Sequence, residues 1–362
     1  MRKVVVCVMA LAALSVVPLL AQSGSNETLN APLAAILGLA VQSTEGTPPP
    51  LPPPGRLIDV GGWRLHLNCT GVRAAQAPVV ILEPGIGDFS VEWSLVQPEL
   101  AKTARVCSYD RAGDGWSEMG PHPRTFKQIV YELRTLLDRA GEKPPYVMVG
   151  QSYGGWLVRT YRAAHPSEVA GIVLVDAGED DPERLTADGS VVRASTLAKG
   201  LPIPPVKTSD PLRIADIPPD ALAAMRRGIA ATVPHANDPP RDRLPEEARR
   251  MRTWALGQIG HIAAGVNPVE VEEIALLRKE RNDNPQAYGD LPLIVITRGL
   301  AESDWTPAKE ETRRAAHKAI ASASRRGRWL IAERSGHHVQ IEQPDVVISA
   351  IKDVLSAAPA SK

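Results

Sequence analysis

The sequence predicts an α/β fold: a mostly parallel, twisted sheet with helices on both faces and an inserted helical cap. Three observations carry this expectation. Short, continuous apolar runs at 78–82, 105–109, 146–149, 171–175 and 293–297 alternate with helical patterns, as strands buried on both faces do in a parallel sheet. The run at 146–149 leads through Gly150-Gln151-Ser152-Tyr153-Gly154 directly into a helical pattern. Between about Glu179 and Asn284 strand signals vanish, and proline-rich and helical segments take their place.

Taken in order, residues 1–21 begin with Arg2 and Lys3, continue as an uncharged apolar run over 4–20 and reach the small Ala21. Length and flanks predict a secretory signal peptide and hence export to a periplasm or the exterior. The alternative is an uncleaved membrane anchor formed by 4–20, because the run approaches the minimum spanning length. Cys7 lies too early, and in the wrong context, for lipid attachment. Residues 22–54 end in Pro-Pro-Pro-Leu-Pro-Pro-Pro at 48–54. Such a stiff segment joins neither sheet nor helix, so 22–54 is expected to be a poorly ordered spacer.

The body then opens with runs at 57–60 and 63–68 around Gly61-Gly62, which read as a hairpin. Thr125 with Gln128 three residues later is a helix-start signal. Ile129, Val130, Leu133, Leu136 and Leu137 share one face of that helix, and Gly141 ends it. In the strand-poor stretch, one helix carries Leu244, Ala248, Met251, Ala255, Ile259 and Ile262 on one face. Another starts at Asn267, with Pro268 in its first position and Glu270 completing the cap. A last strand at 329–332 precedes Ser335-Gly336-His337 and a helix near Pro344.

Composition narrows the partners. At 362 residues the chain can bury one large core with an inserted subdomain. Lys+Arg and Asp+Glu balance at 41 each, so nothing selects nucleic acid or an anionic membrane surface. No H-E-x-x-H, C-x-x-C or phosphate-cradling loop occurs, and neither a metal nor an organic cofactor is expected.

A strand, G-x-S-x-G and a helix together make a nucleophile elbow, in which the serine sits on a turn that only flanking glycines let the chain close. Here the chain resembles the α/β-hydrolase superfamily. The likeness extends to Leu82-Glu83-Pro84-Gly85-Ile86-Gly87, to the run from Ser108 to Ser117 around Asp110-Arg111, to Val173-Leu174-Val175-Asp176 and to Ser335-Gly336-His337, in the superfamily's order. It covers about 56–355. It implies a sheet of about eight strands, a core formed by 55–178 with 285–358, and a cap formed by 179–284 over the sheet's C-terminal edge, where open α/β sheets bind ligands.

The resemblance implies an acyl-transferring serine hydrolase with Ser152 as nucleophile and His337 as base; His338 is the competing histidine, but the motif sets the base directly after glycine. The acid must fall between serine and histidine in the chain. Asp176, at a strand end, is the choice, with Glu302 and Asp304 after the next strand as alternatives. The backbone N–H groups of Ile86 and Tyr153 are the expected oxyanion donors. The superfamily's usual His-Gly is here Pro84-Gly85, preceded by Glu83, which is expected to pair with Arg111. His66 is expected to point outward, and His122, His165, His235, His261 and His317 to be surface or packing residues without partners. Cys69 and Cys107 would lie on neighbouring strands, where they could form a disulfide in an oxidising compartment or remain buried thiols. The expected substrates are small-molecule carboxylic esters. A proline iminopeptidase-like peptidase and a non-catalytic binding protein on the same fold are the alternatives. Serine at the elbow argues against the aspartate-nucleophile chemistry of dehalogenases and epoxide hydrolases. No oligomeric state is predicted.

Overall fold

A computed structural model describes residues 51–358 apart from 187, 266, 303 and 304. The segment 1–21 expected to be a signal peptide, most of the proline-rich segment 22–54 and Asp304 therefore lie outside the described residues. Alternating buried strands and amphipathic helices build one eight-stranded sheet. Its strands are β1 (Arg56–Asp59), β2 (Arg64–Thr70), β3 (Val79–Glu83), β4 (Val106–Tyr109), β5 (Tyr146–Gln151), β6 (Val169–Val175), β9 (Leu293–Arg298) and β10 (Gly327–Ala332). They lie in the order β1-β2-β4-β3-β5-β6-β9-β10. The first two pairings, β1 with β2 and β2 with β4, are antiparallel, and the rest are parallel. Strands β3, β4, β5, β6 and β9 are buried along their whole length, which is why they read as unbroken apolar runs instead of alternating ones.

Helices cover both faces. On one, Leu133, Leu136, Val158, Tyr161 and Ile320 pack against Ile81, Met148 and Leu174. On the other, Trp93, Leu100, Val347 and Ile351 pack against Val80, Val149 and Val173. The helix Phe126–Ala140 starts as its sequence dictates. The Thr125 hydroxyl accepts from the Gln128 N–H at 3.0 Å, and Gly141 closes the helix with φ +80°. The Gln128 side chain does not return to the cap; it donates to Glu132 and to the Lys207 carbonyl. Cys69 and Cys107 face each other across β2 and β4 and are joined by a disulfide.

The segment between β6 and β9 departs from the sequence expectation in three ways. It contains a short antiparallel hairpin, β7 (Glu183–Leu185) with β8 (Val191–Arg193). Three residues per strand leave no run long enough to register as apolar periodicity. The helix expected across 244–262 is broken at Gly257 into Glu246–Leu256 and Ile259–Ala263. The helix expected from Asn267 starts at Glu270, because the Asn267 side-chain oxygen accepts from the Val269 N–H and forms a turn first. A further helix, Pro219–Thr232, follows the proline-rich stretch. Among the described residues no helix is long and apolar enough to cross a membrane.

Thr125→Ala removes a buried helix cap and should cost about 1 kcal/mol. Urea denaturation should show a lower midpoint with an unchanged slope; an unchanged midpoint would mean that the cap contributes nothing.

Candidate active site

In a parallel sheet all C-terminal strand ends open on one edge, and the segments that follow them converge there. Ser152 follows β5, Asp176 follows β6, Pro84-Gly85-Ile86 follow β3, and His337 lies in the loop after β10. Ser152 adopts φ +51° and ψ −119°, a region that residues with a side chain rarely occupy. The glycines permit this by close approach. A Cβ on Gly150 would lie 2.5 Å from the Gly154 carbonyl oxygen, and a Cβ on Gly154 would lie 2.5 Å from that of Glu83. The turn is further tied by Ser152 N–H donating to Val175 O at 3.1 Å, and by Gly178 N–H donating to Ser152 O at 2.9 Å.

Three side chains predicted from sequence meet. His337 Nε2 lies 2.9 Å from Ser152 Oγ, and His337 Nδ1 lies 2.6 Å from Asp176 Oδ2. Ser152 and His337 are half-buried and Asp176 is fully buried. The Asp176 carboxylate also accepts from the Arg298 N–H at 3.2 Å and from Arg313 Nε at 3.1 Å. Burial by itself would raise its pKa. The Arg313 guanidinium and the hydrogen bond with His337 outweigh that and hold it well below the usual carboxylate range. Asp176 is therefore ionised at neutral pH and accepts the Nδ1–H, which leaves Nε2 as the acceptor facing the serine hydroxyl.

The other candidates go elsewhere. Glu302 pairs with Arg298 at 2.9 Å. His338 is half-buried, with its ring beside Asp88 and Glu92, and desolvation together with Arg241 pushes its pKa well down, so it stays neutral. Several histidines depart from expectation. His66 is fully buried, 2.9 Å from Asp110 and against the Trp116 ring, because its strand is covered on that face too. His261 contacts Asp114 at 2.9 Å, and His317 is enclosed between Thr297 and the Ala177 carbonyl.

Two supporting groups escaped the sequence reading. Gln151 donates to the His337 carbonyl at 3.2 Å. Arg313 lies on the helix Pro307–Ala321, where Glu310, Arg313 and His317 form a buried polar stripe. Charged residues at helical spacing on an inward face were the available signal.

Ser152, His337, Ile86 and Tyr153 line a cavity of about 580 Å³, together with the apolar Trp156, Leu185, Leu197 and Val271. That is a usual size for a small-molecule site. Tyr153 opens the helix Tyr153–Ala164, so its N–H has no carbonyl one turn earlier to bond. Among the described residues the carboxylates in the wall are paired: Glu179 with Arg313 at 3.2 Å, Glu183 with Lys309 at 3.1 Å, Glu270 with Arg184 at 2.5 Å. Asp88, Glu92 and His338 offer ligand atoms within 4.8 Å of one another. Arg241 and Arg252 already bind the two carboxylates, so a divalent ion would meet two fixed cations.

A family model described as alpha/beta hydrolase fold matches residues 78–198. The chain is 25% identical over 295 residues to an AB hydrolase superfamily protein of Gibberella zeae, covering 77% of this chain and 87% of that one. It is 37% identical over 129 residues to a protein of Hormonema carpetanum named as a transporter, efuK; the match covers 34% of this chain and only 18% of that protein. The enol-lactonase of Burkholderia xenovorans superposes with a TM-score of 0.55 at 20% identity, over 83% of this chain and all (100%) of that one. With the sheet order and elbow described above, these likenesses show that the chain has the α/β-hydrolase fold.

Because the folded-state pKa of Asp176 is depressed, its ionisation contributes stability at pH above its ordinary value near 3.9, and this is lost as pH falls towards the lower folded value. Asp176→Asn should be less stable than wild type at pH 7, and the gap should narrow below about pH 4. Urea midpoints at pH 7 and pH 3 test this; a gap that does not change with pH would contradict it.

Proposed function

We propose that the protein is an exported serine hydrolase that cleaves carboxylic esters through an acyl-enzyme. The observation that carries this reading is the continuous relay from Ser152 Oγ to His337 to Asp176, at 2.9 and 2.6 Å. A serine hydroxyl is a weak nucleophile until a base removes its proton. His337 Nε2 takes that proton as Oγ attacks the acyl carbonyl. Asp176 holds the imidazole in the required tautomer and stabilises the imidazolium. The N–H groups of Ile86 and Tyr153 receive the developing oxyanion. His337 then protonates the leaving alcohol, and a water activated by the same base releases the acid.

Esters are favoured over aminoacyl substrates by the wall of the cavity. A peptidase that binds a free amino terminus needs a carboxylate for the ammonium, and Glu179, Glu183 and Glu270 are each bound by a cation. The named relatives include an enol-lactonase, which fits acyl chemistry on this fold. Export is supported by the apolar start of the chain and by the Cys69–Cys107 disulfide, since such bonds persist in oxidising compartments.

A fluorophosphonate probe should label the wild type and not Ser152→Ala. Short-chain p-nitrophenyl esters should be hydrolysed faster than aminoacyl p-nitroanilides. Asp176→Asn should lower kcat by up to about 10⁴. Labelling that survives Ser152→Ala would end the proposal. For export, the purified native protein, denatured but not reduced, should leave Cys69 and Cys107 closed to alkylation; modification of both would remove that support.

A further inference from the structure

We infer that Arg111 is the positioning residue of the oxyanion site, aiming the Ile86 N–H by holding the far side of the same peptide group. This rests on the reading above, in which Ile86 is a donor. Arg111 is buried behind the loop that follows β3. Its Nη1 donates to the Glu83 carboxylate at 2.7 Å and to the Pro84 carbonyl at 2.8 Å. Its Nη2 donates to the Gly85 carbonyl at 2.5 Å and to the Asp88 carbonyl at 3.1 Å. One rigid, planar cation thus collects three carbonyls of the loop backbone, those of Pro84, Gly85 and Asp88, which a flexible ammonium could not do.

The Gly85 contact matters most. Gly85 C=O and Ile86 N–H belong to one planar peptide unit, and the bond is not among the cis peptides of the described residues. In a trans unit the oxygen and the hydrogen point in opposite directions. Drawing the Gly85 oxygen onto Arg111 therefore turns the Ile86 hydrogen away from it, towards the side where Ile86 and Ser152 line the cavity. The cation also polarises the peptide and makes the N–H a better donor. The distance available is short: a Cβ on Gly85 would lie 3.3 Å from Ser152 Cβ. The guanidinium lies over the Tyr153 ring as well, 5.6 Å from its centre, so one side chain braces both residues assigned to the oxyanion. Asp114 backs it at 3.5 Å and links it to His261 of the helix Ile259–Ala263.

Arg111→Lys keeps the charge next to Glu83 and loses the fork. In the full-length protein it should lower kcat on a p-nitrophenyl ester at least tenfold, short of the hundredfold or more expected for outright loss of a donor. KM should move less than about threefold, because the donor acts on the transition state. Affinity for a boronic acid that mimics the tetrahedral adduct should fall with kcat. Arg111→Gln, with fewer donors still, should fall further; if it does not fold, the lysine variant decides. A folded Arg111→Lys variant with wild-type kcat and boronate affinity overturns the inference, as does a loss carried by KM alone. Fluorophosphonate labelling of the wild type separates the two levels. A wild type that neither labels nor hydrolyses esters sinks the functional reading and this inference with it. A wild type that does both beside an unimpaired variant sinks only this one.

Discussion

The site depends on one steric constraint, the left-handed turn at Ser152. A serine at φ +51° is unfavourable in isolation, and it persists because the surrounding backbone leaves no room to relax. Gly150 and Gly154 are packed against each other, Gly154 against the carbonyl of Glu83, and Gly155 against Ala177. Those contacts join the ends of β3, β5 and β6. The strain at one residue is thus borne by the hydrogen-bonded sheet, and it raises the hydroxyl out of the core towards His337.

Around that turn, buried arginines tie the surrounding segments together. Arg313 fixes Asp176 and Glu179, Arg111 gathers the loop after β3, and Arg252 joins Asp88 to Glu92 from the segment between β6 and β9. Each guanidinium has several acceptors, so the cost of burying it is offset by multiple charge-assisted bonds. A planar fork fixes direction as well as distance. That property suits a site whose backbone N–H groups and carboxylate must be aimed to within a few tenths of an ångström.

How much of this could be read in advance varied with its physical origin. The buried strands were visible because burial on both faces writes an apolar run into the chain. Ser152 and His337 were visible because glycine spacing and a strand-to-helix turn leave a local signature. Asp176 was one candidate among three, separated from the others only when the backbone carried it to His337 and Glu302 to Arg298. The outward reading of His66 failed because alternation on one strand does not say what covers the other face. Gln151 sits inside the elbow motif, yet its bond to the His337 carbonyl depends on a loop 186 residues away in sequence.

The sequence by itself determined the class of fold, the order of its strands along the chain and the local geometry of the elbow, since each follows from contacts between near neighbours or from the need to bury apolar surface. The tertiary structure decided the rest: which carboxylate meets the imidazole, which cations pair with the other described acids of the cavity, and which carbonyls the buried Arg111 guanidinium gathers behind the loop after β3. Those choices are made between segments distant in sequence, where charge pairing and hydrogen-bond direction act over a few ångströms, and such distances exist only once the sheet has assembled.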